Sequence, residues 1–314
     1  MYAFRVSEEG CAQIGSINTQ ISHLQRLPSD YFCSTNLQII RMLLGIDIGG
    51  TTINLGLVEG NKIVKSITVR SFSHDATKEQ TIDYLADSIK KIITPDVTRI
   101  GIGVPTIVDA EKGIVYNATN IPSWDVVPIK DMLEARFHIP VSVNNDSNCF
   151  TLGAAALVGG KPKVLVGITL GTGLGVGVIY DGKLLTGTRC GVGELGSIPY
   201  NGEIVECFCS KQFFVNRGWQ GKEASDAADE GDPEAIDLQN EFGAHLGELL
   251  AIVMFAYDAD VIVLGGGVAN SYRHFKDSMM ATLAMRYPYK EGLDALRIEV
   301  LPDGDVPVLG ASLL

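Results

Sequence analysis

The sequence predicts an α/β protein with two domains, each built around a largely parallel β-sheet. Short apolar runs typical of buried strands alternate along the chain with stretches of helical periodicity, and strands alternating with helices form such sheets. A glycine-rich strand–turn–strand segment also occurs twice, at residues 44–63 and 166–185. This repetition is expected if each domain contains the same hairpin.

The remaining elements are predicted from periodicity, in chain order. Thr77 and Gln80 can form a capping box at the start of a helix that extends to Ile93. A strand from Arg99 runs into a loop at Pro105. The later predicted elements are a short helix at 131–137, a strand at 141–146, helices at 148–158 and 233–257, and a buried strand at 260–268.

Composition and charge exclude several classes of function. A chain of 314 residues with 46% hydrophobic residues can form two packed domains. The formal net charge of −12 is unfavourable for a protein that mainly binds nucleic acid. No apolar run is long enough to span a membrane, no secretory signal precedes the first strand, and the six cysteines do not resemble a secreted disulfide framework. A cytoplasmic location is therefore predicted.

Residues 1–41 differ from the rest of the chain because they lack a sustained helical or strand period. Two interpretations remain open: an extension that arises from a mis-assigned start codon, which the pattern favours, and a native helix that packs on the next domain. A DNA-reading helix-turn-helix would need a longer and more basic segment. We predict an extension at 1–41, a small N-terminal α/β domain at 42–150 and a larger C-terminal α/β domain at 151–314.

The two glycine-rich hairpins align in register, with Gly45, Gly49 and Gly60 matching Gly167, Gly171 and Gly182. Glycine permits positive φ angles that direct several backbone N–H groups into one concavity, which is an anion site. Two such turns can face each other across a cleft and bind a polyphosphate between them. One hairpin alone would be an ordinary turn, but the matched pair favours phosphate binding.

Three glycine-containing turns are the candidate ATP site. Asp47 ends a strand beside the first turn, where a carboxylate can hold Mg²⁺ against ATP phosphates, although alone it could simply stabilise the turn. The second turn is neither a Walker P-loop nor a dinucleotide fingerprint, and a third cluster, at 265–267, could let an adenosine ring approach. The candidate residues are Asp47, Gly49, Gly50, Thr51, Thr52, Gly171, Thr172, Gly173, Gly265, Gly266 and Gly267.

Amide and acid side chains cluster where the strand at 141–146 ends. Such a cluster predicts a polyol site in the crevice between domains. Asp146 is our candidate for the carboxylate that accepts a proton from an attacking hydroxyl, although the residue type fits a helix N-cap about as well. Asn120 and Glu194 could bind sugar hydroxyls, but neither is persuasive without its neighbours.

In this order the motifs resemble those of the ROK (repressor, open reading frame, kinase) family, within the sugar kinase/Hsp70/actin superfamily. The resemblance extends from Met42 to the C-terminus, and its motifs are LGIDIGGTT, GIGVPTIVD, NATNIPSW, NNDSN, GITLGTGLGVGVI and VLGGGV. It implies an actin-like ATPase (ribonuclease H-like) fold, in which two α/β domains flank a nucleotide and sugar cleft. It also implies an ATP-dependent, Mg²⁺-using hexose kinase, usually a homodimer. Asp146 would be the catalytic base, and Asn120, Asn145, Asp146 and Glu194 would contact the sugar.

The chain departs from this family where members bind a structural zinc, on Gly-His followed by Cys-x-Cys-Gly-x-x-Gly-Cys-Leu-Glu. Ser197 occupies the position of the histidine and Phe214 that of the third cysteine, so only Cys207 and Cys209 remain. Two thiolates cannot complete a tetrahedral site, and we predict no structural zinc. The family's last glutamate falls on Asn216, which we include among the candidate sugar contacts.

These departures leave the sugar open. The family histidine is also a sugar ligand, and Thr106 replaces a glycine of the family loop. Glucose is the leading candidate, while mannose, allose, N-acetylglucosamine and N-acetylmannosamine remain alternatives because discrimination depends on hydrogen bonds in the pocket. The chain also stops soon after Gly310, so its end could be trimmed.

The sequence also bears on three other functions. A sugar-sensing repressor would need a DNA-binding domain before the first phosphate motif, and residues 1–41 are too few and too weakly basic. A chaperone- or filament-type ATPase would lack the NNDSN motif. A catalytically silent member of the family, acting as a sugar sensor, stays open because of the lost zinc ligands.

Overall fold

The structure is a computed structural model that describes residues 42–118, 120–187, 191–301 and 304–314. The predicted extension at 1–41 lies outside these ranges. Among the described residues, no helix is both long enough and apolar enough to cross a membrane.

The first half of the chain forms a five-stranded sheet in the order β3-β2-β1-β4-β8. Its strands are β1 (Met42–Ile48), β2 (Thr52–Glu59), β3 (Lys62–Arg70), β4 (Val97–Val104) and β8 (Val141–Asn145). β1, β2 and β3 pair antiparallel, whereas β1, β4 and β8 are parallel. A small antiparallel sheet beside it contains β5 (Val108–Asp109), β6 (Ile114–Tyr116) and β7 (Val126–Val127).

Two helices cover this sheet, α1 (Lys78–Lys90) and α2 (Ile129–Phe137). The predicted capping box at the start of α1 is confirmed, since the Thr77 side chain accepts from the Gln80 N–H and the Gln80 side chain accepts from the Thr77 N–H. The apolar face of α1 is buried, as its periodicity predicts. This face contributes Ile82 and Leu85 to a core that also includes Leu44, Ile46, Ile100, Ile102 and Trp124.

The second half repeats this sheet in the order β11-β10-β9-β14-β15. The strands are β9 (Val164–Leu170), β10 (Leu174–Tyr180), β11 (Lys183–Leu184), β14 (Val261–Gly265) and β15 (Arg297–Val300). The directions also repeat, with an antiparallel β9-β10-β11 meander and parallel β9, β14 and β15. A short hairpin, β12 (Pro199–Tyr200) with β13 (Glu203–Ile204), lies between β11 and β14 in the chain. Each sheet is therefore mixed rather than largely parallel, because each contains the glycine-rich hairpin.

The other helices belong to the second half or to the boundary between halves. They are α3 (Asp146–Leu157), α4 (Lys211–Val215), α5 (Gly221–Asp229), α6 (Pro233–Tyr257), α7 (Tyr272–Arg286), α8 (Lys290–Ala295) and α9 (Val306–Ser312). The predicted bounds of α6 are confirmed: Asp232 caps its first turn, Pro233 occupies a first-turn position, and Asp258 ends it in the left-handed conformation. The domain limits at 42–150 and 151–314 stay a prediction.

Helices α3 and α9 each follow one sheet and pack on the other. α3 comes after β8, yet a Cβ atom on Gly177 of β10 would lie 2.2 Å from Thr151 Oγ1 of α3. α9 comes after β15, yet a Cβ atom on Gly45 of β1 would lie 1.9 Å from the carbonyl oxygen of Val308 in α9. The two helices also contact each other, because a Cβ atom on Gly310 would lie 1.6 Å from the Cys149 carbonyl oxygen.

Substitution of Gly310 by alanine tests this contact between helices. The new methyl group has no space beside the Cys149 carbonyl, so we expect Gly310→Ala to lower the free energy of unfolding by about 1–3 kcal/mol. Chemical denaturation checks it. Gly159→Ala is the matched control, since in the part of the chain that the structure describes nothing lies within 4 Å of a Cβ atom there. Equal stability of the two variants would contradict the packing described.

Candidate active site

The N-terminus of α3 carries the polar cluster predicted from the sequence. Asn145 caps this helix, with its Oδ1 accepting from the N–H groups of Ser147 (2.9 Å) and Asn148 (3.4 Å). Its Nδ2 donates to the Thr106 carbonyl oxygen at 3.3 Å. The N-cap role that the sequence left open for Asp146 therefore belongs to Asn145, and Asp146 is the first residue of the helix.

The Asp146 carboxyl group has limited access to solvent, and among the described residues it accepts hydrogen bonds from Ser147. Its Oδ1 accepts from the Ser147 N–H at 2.7 Å and from the Ser147 hydroxyl at 3.3 Å. The pKa of Asp146 is raised to about 7, chiefly by burial and then by the negative charges of Asp47 and, to a lesser extent, Glu194, while the Ser147 hydrogen bonds oppose the shift. Near neutral pH this carboxyl can therefore both lose and accept a proton, as a general base must.

Two turns are predicted to bind phosphate, and we call them the first and second phosphate turns. The first connects β1 to β2 and is held by hydrogen bonds with Ser71, just after β3. The Gly49 N–H donates to the Thr52 carbonyl at 2.9 Å, the Ser71 hydroxyl to the Gly49 carbonyl at 2.7 Å, and the Ser71 N–H to the Thr51 carbonyl at 2.9 Å. Within the described chain, the N–H groups of Gly50 and Thr51 have no backbone acceptor in this turn. They can therefore donate to an anion.

The second phosphate turn connects β9 to β10 in the same way. The Gly171 N–H donates to the Gly173 carbonyl at 3.0 Å, and the Gly171 carbonyl accepts from the Lys211 N–H at 2.8 Å. Among the described residues, the N–H groups of Thr172 and Gly173 have no backbone acceptor here. No atom of the described residues lies within 4 Å of a Cβ atom placed on Gly171, so the described structure leaves this side of the turn open.

The reason proposed for glycine in these turns is wrong. Positive φ angles occur at Gly60 and Gly182, in the polar hairpin turns, whereas Gly49 and Gly171 are not among the residues with positive φ. What glycine provides at the phosphate turns is space, because a side chain would crowd the concavity. Gly60 and Gly182 thus serve strand reversal at one end of each hairpin, and Gly49 and Gly171 leave the surface open at the other.

The third glycine cluster is explained by internal packing. A Cβ atom on Gly265 would lie 2.3 Å from Cε2 of the Phe150 ring, and one on Gly266 would lie 2.6 Å from the Leu170 carbonyl oxygen. Gly266 also has a φ of +84°, which favours glycine. Gly267 begins a 3₁₀ helix, Gly267–Ser271. The adenosine contact predicted for these glycines stays a prediction.

Asn120 and Glu194 lie beside the phosphate turn and the Asp146 carboxyl respectively. A Cβ atom on Gly50 would lie 3.5 Å from Asn120 Cγ, and the loop of Asn120 is anchored by buried Trp124, whose indole N–H donates to Thr81 Oγ1 at 2.7 Å. Glu194 is exposed, but it is close enough to raise the pKa of Asp146.

Asn216 is the candidate that the structure does not bring to this cluster. It ends α4 on an exposed surface, and its Oδ1 accepts from the Gln212 side chain at 2.5 Å. No contact of Asn216 with Asp146 or Glu194 is found among the described residues. Its predicted contact with the sugar stays a prediction.

The residues at the family's zinc position do not fit a zinc ion. Cys209 is fully buried, and burial raises the pKa of its thiol. Phe214 is also fully buried, with its ring centroid 5.2 Å from that of Phe213 and 5.1 Å from that of Phe242. Among the described residues, no group of three or more His, Cys, Asp or Glu side chains is arranged to hold a metal.

Two residues that contact the phosphate turns were missed by sequence reasoning. Ser71 holds the first turn, and the Glu206 carboxylate accepts from the Leu174 N–H at the end of the second. Each is more than twenty residues from its partner in the chain. No local pattern signals such contacts.

Comparisons with known proteins agree with this geometry. The ROK family model matches residues 43–213 and 215–314. A glucokinase of Thermotoga maritima is 31% identical over 264 residues, covering 73% of this chain and 83% of that protein. An N-acetyl-D-glucosamine kinase of Vibrio parahaemolyticus is 31% identical over 260 residues, covering 73% and 85%.

The fold is similar to that of a ROK family glucokinase from Streptomyces griseus, solved in complex with glucose and AMPPNP. The TM-score is 0.72 at 28% identity, and the match covers 86% of this chain and 98% of that one. The predicted actin-like α/β fold is thereby confirmed. With the sequence motifs, the duplicated sheets and the matched family model in agreement, this chain belongs to the ROK family.

Proposed function

We propose that this protein is an ATP-dependent hexose kinase, which transfers the γ-phosphoryl group of ATP to a sugar hydroxyl. The observation that carries the proposal is the position of Asp146, at the N-terminus of a helix that packs on the second sheet and beside Asp47 of the first. Similarity to glucokinases and N-acetylglucosamine kinases supports it. Glucose is the leading substrate, and N-acetylglucosamine is the first alternative.

Phosphoryl transfer depends mainly on positioning and electrostatic stabilisation. The N–H groups of Gly50, Thr51, Thr172 and Gly173, which have no backbone acceptor among the described residues, would bind the ATP phosphates. Asp146 would accept the proton of the attacking sugar hydroxyl. Asp47 is the candidate ligand for Mg²⁺. The neighbouring N–H groups would bind phosphate, and a carboxylate beside that phosphate can hold a hydrated cation against it. When bound, Mg²⁺ neutralises charge on the phosphates.

The sugar would lie against Asn120, Asp146 and Glu194. Asn145 would act mainly by fixing the start of α3, since both ends of its amide already have protein partners. A role for Asn216 has no support from its surface position. The homodimer, the cytoplasmic location and the absence of nucleic-acid partners stay predictions.

A coupled ADP-release assay with ATP, Mg²⁺ and a panel of hexoses and N-acetylhexosamines tests the proposed function. We expect turnover with one sugar well above the sugar-free ATPase rate, because a closed cleft favours the sugar hydroxyl over water. ATP binding without turnover on any sugar would contradict the proposal and favour a sugar sensor.

Replacement of Asp146 by asparagine tests the catalytic base. We expect Asp146→Asn to reduce kcat by about 10²–10⁴-fold, because the amide cannot accept the proton. The folded protein should become more stable at pH 8, where the substitution removes a poorly solvated charge. The reason is the raised pKa of Asp146. In the unsubstituted protein the unfolded state loses this proton near pH 3.8 and the folded state only near pH 7, so the free energy of unfolding falls as pH rises between these values. Steady-state kinetics and thermal unfolding check both, and retention of full kcat would contradict the assignment.

The pH dependence of kcat/KM provides a separate test. Below a pH of about 7 the Asp146 carboxyl is protonated, so log kcat/KM should fall with a slope of about one per pH unit as pH decreases. Glu194→Gln removes a negative charge that raises this pKa, so the acidic limb should move to lower pH. Glu203→Gln, at an exposed position in β13, is the control. A limb that stays in place in Glu194→Gln would contradict this account.

A further inference from the structure

Glu206 is a half-buried carboxylate that lies directly against the second phosphate turn. Its Oε2 accepts from the Leu174 N–H at 2.8 Å, and a Cβ atom on Gly173 would lie 2.6 Å from the same oxygen. Leu174 is only 8% exposed, so without Glu206 its N–H group would have little access to water. A buried N–H group without an acceptor is costly, which makes this contact important for the turn.

The segment that carries Glu206 holds the turn at both ends. Glu206 binds the turn where it enters β10, and the Lys211 N–H donates to the Gly171 carbonyl where β9 ends. Inside the turn, the described backbone makes one hydrogen bond, from the Gly171 N–H to the Gly173 carbonyl. The conformation of the turn therefore depends on contacts from residues 206–211.

The same carboxylate lies next to the segment of Glu194. A Cβ atom on Gly196, two residues after Glu194, would lie 3.0 Å from the Leu174 carbonyl oxygen and 3.6 Å from Glu206 Cβ. Glu206 is thus packed between the candidate sugar-binding segment and the phosphate turn. A carboxylate so close to a phosphate site would repel ATP, so its presence calls for an opposing benefit.

We propose that Glu206 is a positioning residue for ATP: its carboxylate fixes Leu174 and thereby holds the second phosphate turn in the conformation that presents the Thr172 and Gly173 N–H groups. Preorganised donors bind phosphate better than donors that must be ordered on binding. The benefit comes from accepting a hydrogen bond, and the negative charge is not required. This inference rests on the proposed kinase function.

Three variants separate hydrogen bonding from charge. Glu206→Ala removes the acceptor, Glu206→Gln retains an acceptor without charge, and Glu203→Ala removes an exposed acid from the same region as a control. Calorimetric titration of each full-length variant with AMPPNP and Mg²⁺ measures nucleotide affinity. We expect Glu206→Ala to weaken binding about tenfold, Glu206→Gln to stay within about threefold of the unsubstituted protein, and Glu203→Ala to match it.

Sugar binding and thermal unfolding complete the test. The sugar dissociation constant of Glu206→Ala should change far less than its nucleotide dissociation constant, and Tm should fall by no more than a few degrees, because one buried N–H group loses its acceptor. Equal weakening of both ligands with a larger fall in Tm would show general loosening and overturn the proposal. A loss of AMPPNP affinity in Glu206→Gln as large as that in Glu206→Ala would also overturn the proposal. Unchanged AMPPNP affinity in Glu206→Ala would overturn it as well. Failure of the unsubstituted protein to phosphorylate any sugar would count against the kinase function, while the AMPPNP titrations would still test Glu206.

Discussion

The crossing of α3 and α9 is the contact on which the rest of the structure depends. At Gly153 and Gly310 the two helices approach so closely that a Cβ atom at either position would overlap backbone of the other helix. Close packing of this kind leaves little freedom to shift, because protein interiors transmit strain rather than absorb it. Since each helix also packs on the sheet of the opposite half, the crossing connects the two sheets.

This arrangement determines where Asp146, the proposed catalytic base, lies. A Cβ atom on Gly175 of β10 would lie 1.7 Å from Ser147 Oγ, so the first turn of α3 is pressed against the second sheet. The strand that leads into α3 is β8 of the first sheet, and one strand, β4, separates it from β1, which carries Asp47. Asp146 therefore lies where both halves meet, and burial there together with the charge of Asp47 raises its pKa.

The predictable part of this molecule is the part that local sequence determines. The capping box of α1, the bounds of α6 and the repeated hairpins follow from residues close together in the chain, and the structure confirms them. The matched Gly45 and Gly167 were visible in the sequence, but their shared role is to admit a helix from the other half. Gly45 admits Val308, which is far from it in the chain, and Gly167 admits Thr151, which belongs to α3. For the same reason the contact of Glu206 with the phosphate turn could not be predicted.

The segment between Ser197 and Phe214 shows how packing can replace metal ligands. Where the family pattern has its third cysteine, Phe214 joins an aromatic cluster that includes Phe213 and Phe242. At its edge the Tyr200 hydroxyl lies 2.9 Å from His245 Nδ1, and burial lowers the pKa of that histidine, which favours the neutral ring. Buried aromatic side chains provide large apolar contact areas with specific geometry. This segment also supplies Glu206 and the Lys211 N–H to the phosphate turn, so a packed core here would keep the turn in place without a metal ion.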